Sequence, residues 1–120
     1  MHKENHDLEG ALKSYLTLLK SEAYFESHEV LEEAWHPLRK ANHPLKNLTK
    51  CLINGAIAFE HIKRNRKNAH EKASKVINSF ERYKYLSAEG IEHYELFKEA
   101  CFEVEKLKRL YGVGMSSSRQ

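Results

Sequence analysis

Apolar residues recur three and four positions apart along nearly the whole chain, and no stretch sustains a period of two. That spacing belongs to helices that bury one face, and it predicts five of them. Asp7 is a good N-cap for a first helix that carries Leu8, Leu12, Tyr15 and Leu19 along one stripe. After a break between Ser21 and Ala23, a second helix runs from about Tyr24 to Leu38, with Pro37 placed to end it early. Arg39 to His43 reads as a loop leading to Pro44, which suits the first turn of a third helix. That helix is the most apolar: Leu48, Leu52, Gly55, Phe59 and Ile62 form one stripe, with Ile53 and Ile57 on the opposite side. A helix apolar on two sides belongs at the centre of a bundle. Lys63 to Asn68 forms a basic, polar corner before a fourth helix with Ala69, Ala73, Val76, Phe80 and Tyr83 at heptad spacing. Ser87 is placed to cap a fifth helix, whose stripe is Tyr94, Phe97, Cys101, Val104 and Tyr111. Gly112 then stops it as the glycine just past a helix end. The pattern therefore predicts an all-α, single-domain bundle over residues 1–114, with a disordered tail over residues 115–120.

Composition narrows the class of protein without naming a function. The chain has 120 residues, enough for one core, with 20 Lys+Arg against 17 Asp+Glu and a formal net charge of +3. So even a balance compels neither nucleic acid nor an anionic membrane as partner. No run approaches the ~18 consecutive apolar residues of a membrane span, and Met1 to His6 is not followed by a stretch resembling a signal peptide. The two cysteines, Cys51 and Cys101, both fall in apolar helical stretches, where they read as small buried hydrophobes. The expectation is a reduced, cytoplasmic protein.

Chemistry concentrates between Tyr24 and Trp35. At roughly 100° per residue, His28, Glu32 and Trp35 fall within an arc of about 60°, flanked by Tyr24, Phe25 and Leu31. Glu26, Glu29 and Glu33 are then the solvent-facing charges of the helix. On that phasing a carboxylate stands on the core stripe, where it needs a partner, and His28 is one turn away. Asn54 and His61 share a strip of the third helix, so the four polar groups converge if the two helices pack side by side. Two readings stay open. In one, His28 and Glu32 ligate a divalent metal ion with His61 as third ligand. In the other, the pair is a hydrogen-bonded device that fixes how the helices dock, with Trp35 as a core anchor.

Known spacings give limited help. His28-Glu29-x-x-Glu32 lacks the second histidine of the zinc-peptidase helix. Glu33-x-x-His36 matches half of a di-iron carboxylate motif but points to another face. His36 and His43 read as surface histidines, and Lys63 to Lys67 as a solvated turn without the aromatics or motif of a nucleic-acid binder. No serine has a matching His/Asp arrangement, and no glycine-rich loop is present to cradle a nucleotide.

The pattern His28, Glu32, Trp35, preceded by Tyr24-Phe25-Glu26, resembles the signature of the domain of unknown function 309 family. Leu52-Ile53-Asn54, followed by Ala56, Ala58 and His61, resembles that family's second helical motif, and the likeness runs from about Tyr24 to Phe80. It implies a small all-helical fold, with metal binding suggested for the His/Glu motif. Where this chain has Glu22 the family usually has glycine; where it has Cys51 and Asn54, Gly and Gln; and where it has Asn65-Arg66, Gly-Asn. The functional expectation is a polar pocket formed by His28, Glu32, Trp35, Asn54 and His61 that holds a metal ion. The alternative is a non-enzymatic interaction module or homodimer, because broad apolar stripes on the first and fifth helices invite a second copy.

Overall fold

A computed structural model describes residues 7–88 and 90–113. The helices are α1 (Leu8–Lys20), α2 (Tyr24–Lys40), α3 (Lys46–Lys63), α4 (Ala69–Tyr83) and α5 (Tyr94–Tyr111), with a short 3-10 turn at Lys84–Leu86. No strand occurs among the described residues. The tail expected over residues 115–120 lies outside them.

Local chemistry accounts for most boundaries. Asp7 accepts a hydrogen bond from the Gly10 amide at 2.9 Å and caps α1. Gly112, at φ +67°, ends α5, and the Val113 amide donates back to the Lys108 carbonyl at 2.9 Å. Two boundaries differ from expectation. Pro37 does not stop α2, which continues to Lys40. Proline in a last turn costs one hydrogen bond, and the turn beyond it is closed by Ala41 N–H to the Pro37 carbonyl and His43 N–H to the Leu38 carbonyl. Ser87 does not cap α5; its hydroxyl donates to the Lys84 carbonyl at 2.8 Å and closes the 3-10 turn, while α5 starts after His93. Pro44 stands just ahead of α3, whose start is organised by His43: its Nδ1 accepts from the Leu45 amide at 3.0 Å. His43 is therefore a structural histidine rather than a free surface one.

The centre of the bundle is α3, packed against α2, α4 and α5, while α1 packs against α2 and α5. Leu48, Leu52 and Phe59 are fully buried on one side of α3 and Ile53 on another, as a central helix requires. The Tyr15 hydroxyl donates to the Leu52 carbonyl at 2.7 Å and pins α1 to this central helix. On α4 the buried positions are Ala69, Ala73, Ile77 and Phe80, with Val76 and Tyr83 half-buried beside them. The stripes of α1 and α5 pack against each other, burying Leu12, Tyr15 and Leu19 with Phe97, Cys101 and Val104. The broad faces expected to invite a second copy are thus covered within the chain.

Candidate functional site

The core face of α2 is Tyr24, Ser27, Leu31 and Ala34. Each of the motif residues His28, Glu32 and Trp35 follows one of these by a single position, so the motif strip is rotated by about 100° from the core. It lies along the edge of the α2–α3 junction. Glu32, expected on the core stripe, keeps 35% of its side chain exposed, whereas His28 keeps 13%. The correction has a simple cause. Ser27 and Ala34 carry little apolar weight, so Trp35 pulls the apparent stripe towards itself. Glu26, Glu29 and Glu33 are exposed.

At this edge the motif is bound into the fold. His28 Nδ1–H donates to the Phe25 carbonyl at 2.6 Å, since a carbonyl oxygen can only accept. The other ring nitrogen, Nε2, lies 3.5 Å from Glu32 Oε1. Phe25 packs edge-on against the imidazole with ring centres 4.9 Å apart. Trp35 is half-buried; its indole N–H donates to the Lys46 carbonyl at 3.1 Å, across the α2–α3 connection. Lys50 stands over the indole at 4.2 Å and Arg39 at 5.3 Å, so cations from both helices cover the ring. Trp35 packs against the core from its edge and clasps the junction there.

The two α3 residues divide. Asn54 borders a small hollow against Ala69, Ala73 and Val76 of α4, away from α2. His61 borders that hollow and also a second one of about 200 Å³, which it shares with Phe25 and His28. Of the expected pocket, His28 and His61 therefore come to one hollow; Asn54, Glu32 and Trp35 do not border it. Among the described residues no group of three or more His, Cys, Asp or Glu side chains could hold a metal ion. His28 and Glu32 make two neighbouring donors on α2. His61 Nδ1 is buried without a hydrogen-bond partner.

Three features escaped the sequence reading. His43 organises the start of α3; Lys46 and Lys50 hold Trp35 from α3; and His61 borders a third hollow, of about 350 Å³, with Arg66, Lys67, Ala69 and Lys72. The basic run was visible, but not that Lys72, a turn into α4, would face it.

The architecture and its edge motif define a class: a small helical bundle whose His–Glu–Trp strip runs along the junction of two adjacent helices, where Trp35 joins them. The chain belongs to the family described as Domain of unknown function (DUF309), whose model matches residues 12–72. The match takes in most of α1, all of α2 and α3 and the start of α4. No curated protein and no solved structure matches the chain. No helix among the described residues is long and apolar enough to cross a membrane.

Proposed function

We propose that this chain is a non-enzymatic interaction module of the reducing cytoplasm, in which His28, Glu32 and Trp35 are structural. One observation carries the reading: the motif's N–H donors are spent inside the fold, His28 Nδ1–H on the Phe25 carbonyl and the Trp35 indole N–H on the Lys46 carbonyl. The first holds the imidazole against its own helix and the second ties α2 to α3, and neither purpose needs a substrate or a metal. The surface offered to a second copy of the chain is the outer face of α5, where Phe102 and Leu110 are exposed.

The rival reading is a divalent metal ion on His28, Glu32 and His61, favoured by the hollow shared by the two histidines and by the unpartnered Nδ1 of His61. Elemental analysis of untagged protein after metal supplementation separates the two. The structural reading expects no stoichiometric metal. It also expects Glu32→Gln to cost less than about 1 kcal/mol, as a partly exposed pair does, and the exposed Glu29→Gln to stay within about 0.5 kcal/mol. Trp35→Phe, which deletes the N–H donor, costs about 1 kcal/mol in thermal unfolding. Stoichiometric metal that disappears in His28→Ala overturns this reading in favour of the metal site.

A further inference from the structure

The basic corner between α3 and α4 divides into two groups of cations. Lys63 donates to the Glu22 carbonyl at 2.8 Å, and Arg64 is paired with Glu60. Arg66, Lys67 and Lys72 have no acidic or hydrogen-bonding side-chain partner among the described residues, and all three border the 350 Å³ hollow together with His61 and Ala69. No carboxylate borders it; Glu71, in the same turn of α4, is exposed and is not part of the lining. Like charges gathered around a concavity repel one another unless an anion lies between them.

The corner is built rather than loose. Arg66 N–H bonds the His61 carbonyl at 3.0 Å, Ala69 N–H the Arg66 carbonyl at 3.1 Å, and Lys72 N–H the Asn68 carbonyl at 3.0 Å. Asn65 and Asn68 both take left-handed backbone, which asparagine tolerates. The hollow also meets the first turn of α4, whose amides no side chain caps. Those amides carry partial positive charge directed along the helix axis. His61 also lines the wall.

We propose that this corner binds the phosphate group of a small phosphorylated molecule. Arg66 supplies a planar fork for two phosphate oxygens, and Lys67 and Lys72 supply point charges. At about 350 Å³ the hollow exceeds a bare phosphate and falls in the range of small-molecule sites. The neighbouring hollow of about 110 Å³ shares His61, Ala69 and Lys72, and its walls include Ile57, Ala58 and Val76. That is room for an apolar part of the same ligand. Nucleic acid fits less well: the cations converge on one concavity instead of tracking a backbone, and no Phe, Tyr or Trp borders it for base stacking.

The site does not rest on the role given to His28 and Glu32, and its test keeps the two apart. The full chain is titrated with inorganic pyrophosphate at constant ionic strength and followed by amide chemical shifts. The expected result is saturable change confined to residues 61–72, with affinity reduced at least about tenfold in Arg66→Gln/Lys72→Gln. Lys75→Gln, which removes an exposed cation of α4 outside the hollow, and Glu32→Gln both keep the parental affinity. Arg66 and Lys72 are exposed, and the single variant Lys72→Gln reads the same loss should the double variant not fold. Shifts that never saturate, or an equal loss in Lys75→Gln, reduce the effect to general charge and overturn the proposal. Binding of a single-stranded oligonucleotide with no response to pyrophosphate overturns it as well.

Discussion

Glu22 is exposed and sits at φ +64°, in the left-handed turn that carries the chain from α1 into α2. Left-handed backbone places Cβ against the following carbonyl and costs a residue other than glycine about 1–2 kcal/mol. The other tight positions are held by Asn42, Asn65, Asn68 and His93, types enriched in this region. Glutamate has no such excuse, whereas a glycine here would carry no such cost. Glu22→Gly should therefore raise stability by about 1 kcal/mol, read as an upward shift of the urea midpoint with an unchanged slope. The contact from Lys63 survives, because it goes to the backbone carbonyl. The thiols give a second check at this scale. Burial pushes both Cys51 and Cys101 up to about 11, which leaves little thiolate near neutral pH. Thiol reagents should label them only as fast as the protein opens, and denaturant should accelerate both sites together. Fast labelling of either in folded protein would contradict its burial.

Helix identity was legible in the sequence because each stripe is long; helix phase was legible only where the stripe is strongly apolar. On α1 and α5 leucines and aromatics set the buried face, and Leu12, Tyr15, Phe97 and Val104 lie on it as read. On α2 the true face includes Ser27 and Ala34, which satisfy the core by small size and by a hydroxyl bonded to the Tyr24 carbonyl. No hydrophobic count favours such a face over one bearing Trp35, and so the motif was read one position too deep. The convergence of Asn54 with His28 went astray for a further reason: it needed the rotation of α3, which its two apolar sides leave undetermined. Also invisible was an ion-pair cluster joining α4 to α5. Lys108 meets Glu81 at 2.8 Å and Glu105 at 3.8 Å, and Lys84 meets Glu81 at 2.6 Å as well as Glu105. Burial works against the Glu81 carboxylate, but hydrogen bonds from Lys108 and Lys84 outweigh it and hold its pKa below the ordinary value. A carboxylate depressed on folding adds stability above its unfolded pKa, about 4.3, and that stability fades as pH falls through the folded value. Glu81→Gln should accordingly cost about 1 kcal/mol near neutral pH. The deficit should shrink as thermal midpoints are followed below about pH 4. A deficit independent of pH would assign the cost to packing instead of charge.

Over the whole molecule, α5 closes what the other four helices begin. It meets α1 through Lys20 and Glu99 at 2.8 Å and α4 through the ion cluster. On α3, Val104 lies against Gly55 and Tyr111 stacks on Phe59 with ring centres 5.7 Å apart. Tyr111 also reaches α2, where its hydroxyl is 3.0 Å from that of Tyr24, and its carbonyl accepts from His70 of α4 at 2.9 Å. The family match ends at Lys72 and so omits this helix. The matched segment nevertheless leaves uncovered the parts of α1 and α3 that pack against α5. Burying Phe97, Val104 and Leu107 brings about 4–9 kcal/mol, against a typical total stability of about 5–15 kcal/mol. The chain ending at Ala88 should consequently keep helical far-ultraviolet dichroism but lose its near-ultraviolet signal and its cooperative melt. A peptide spanning residues 90–113, added in trans, should restore the melt in a concentration-dependent way. If the shortened chain melts sharply on its own, with a midpoint within a few degrees of the parent, α5 is an appendage and the core is complete without it.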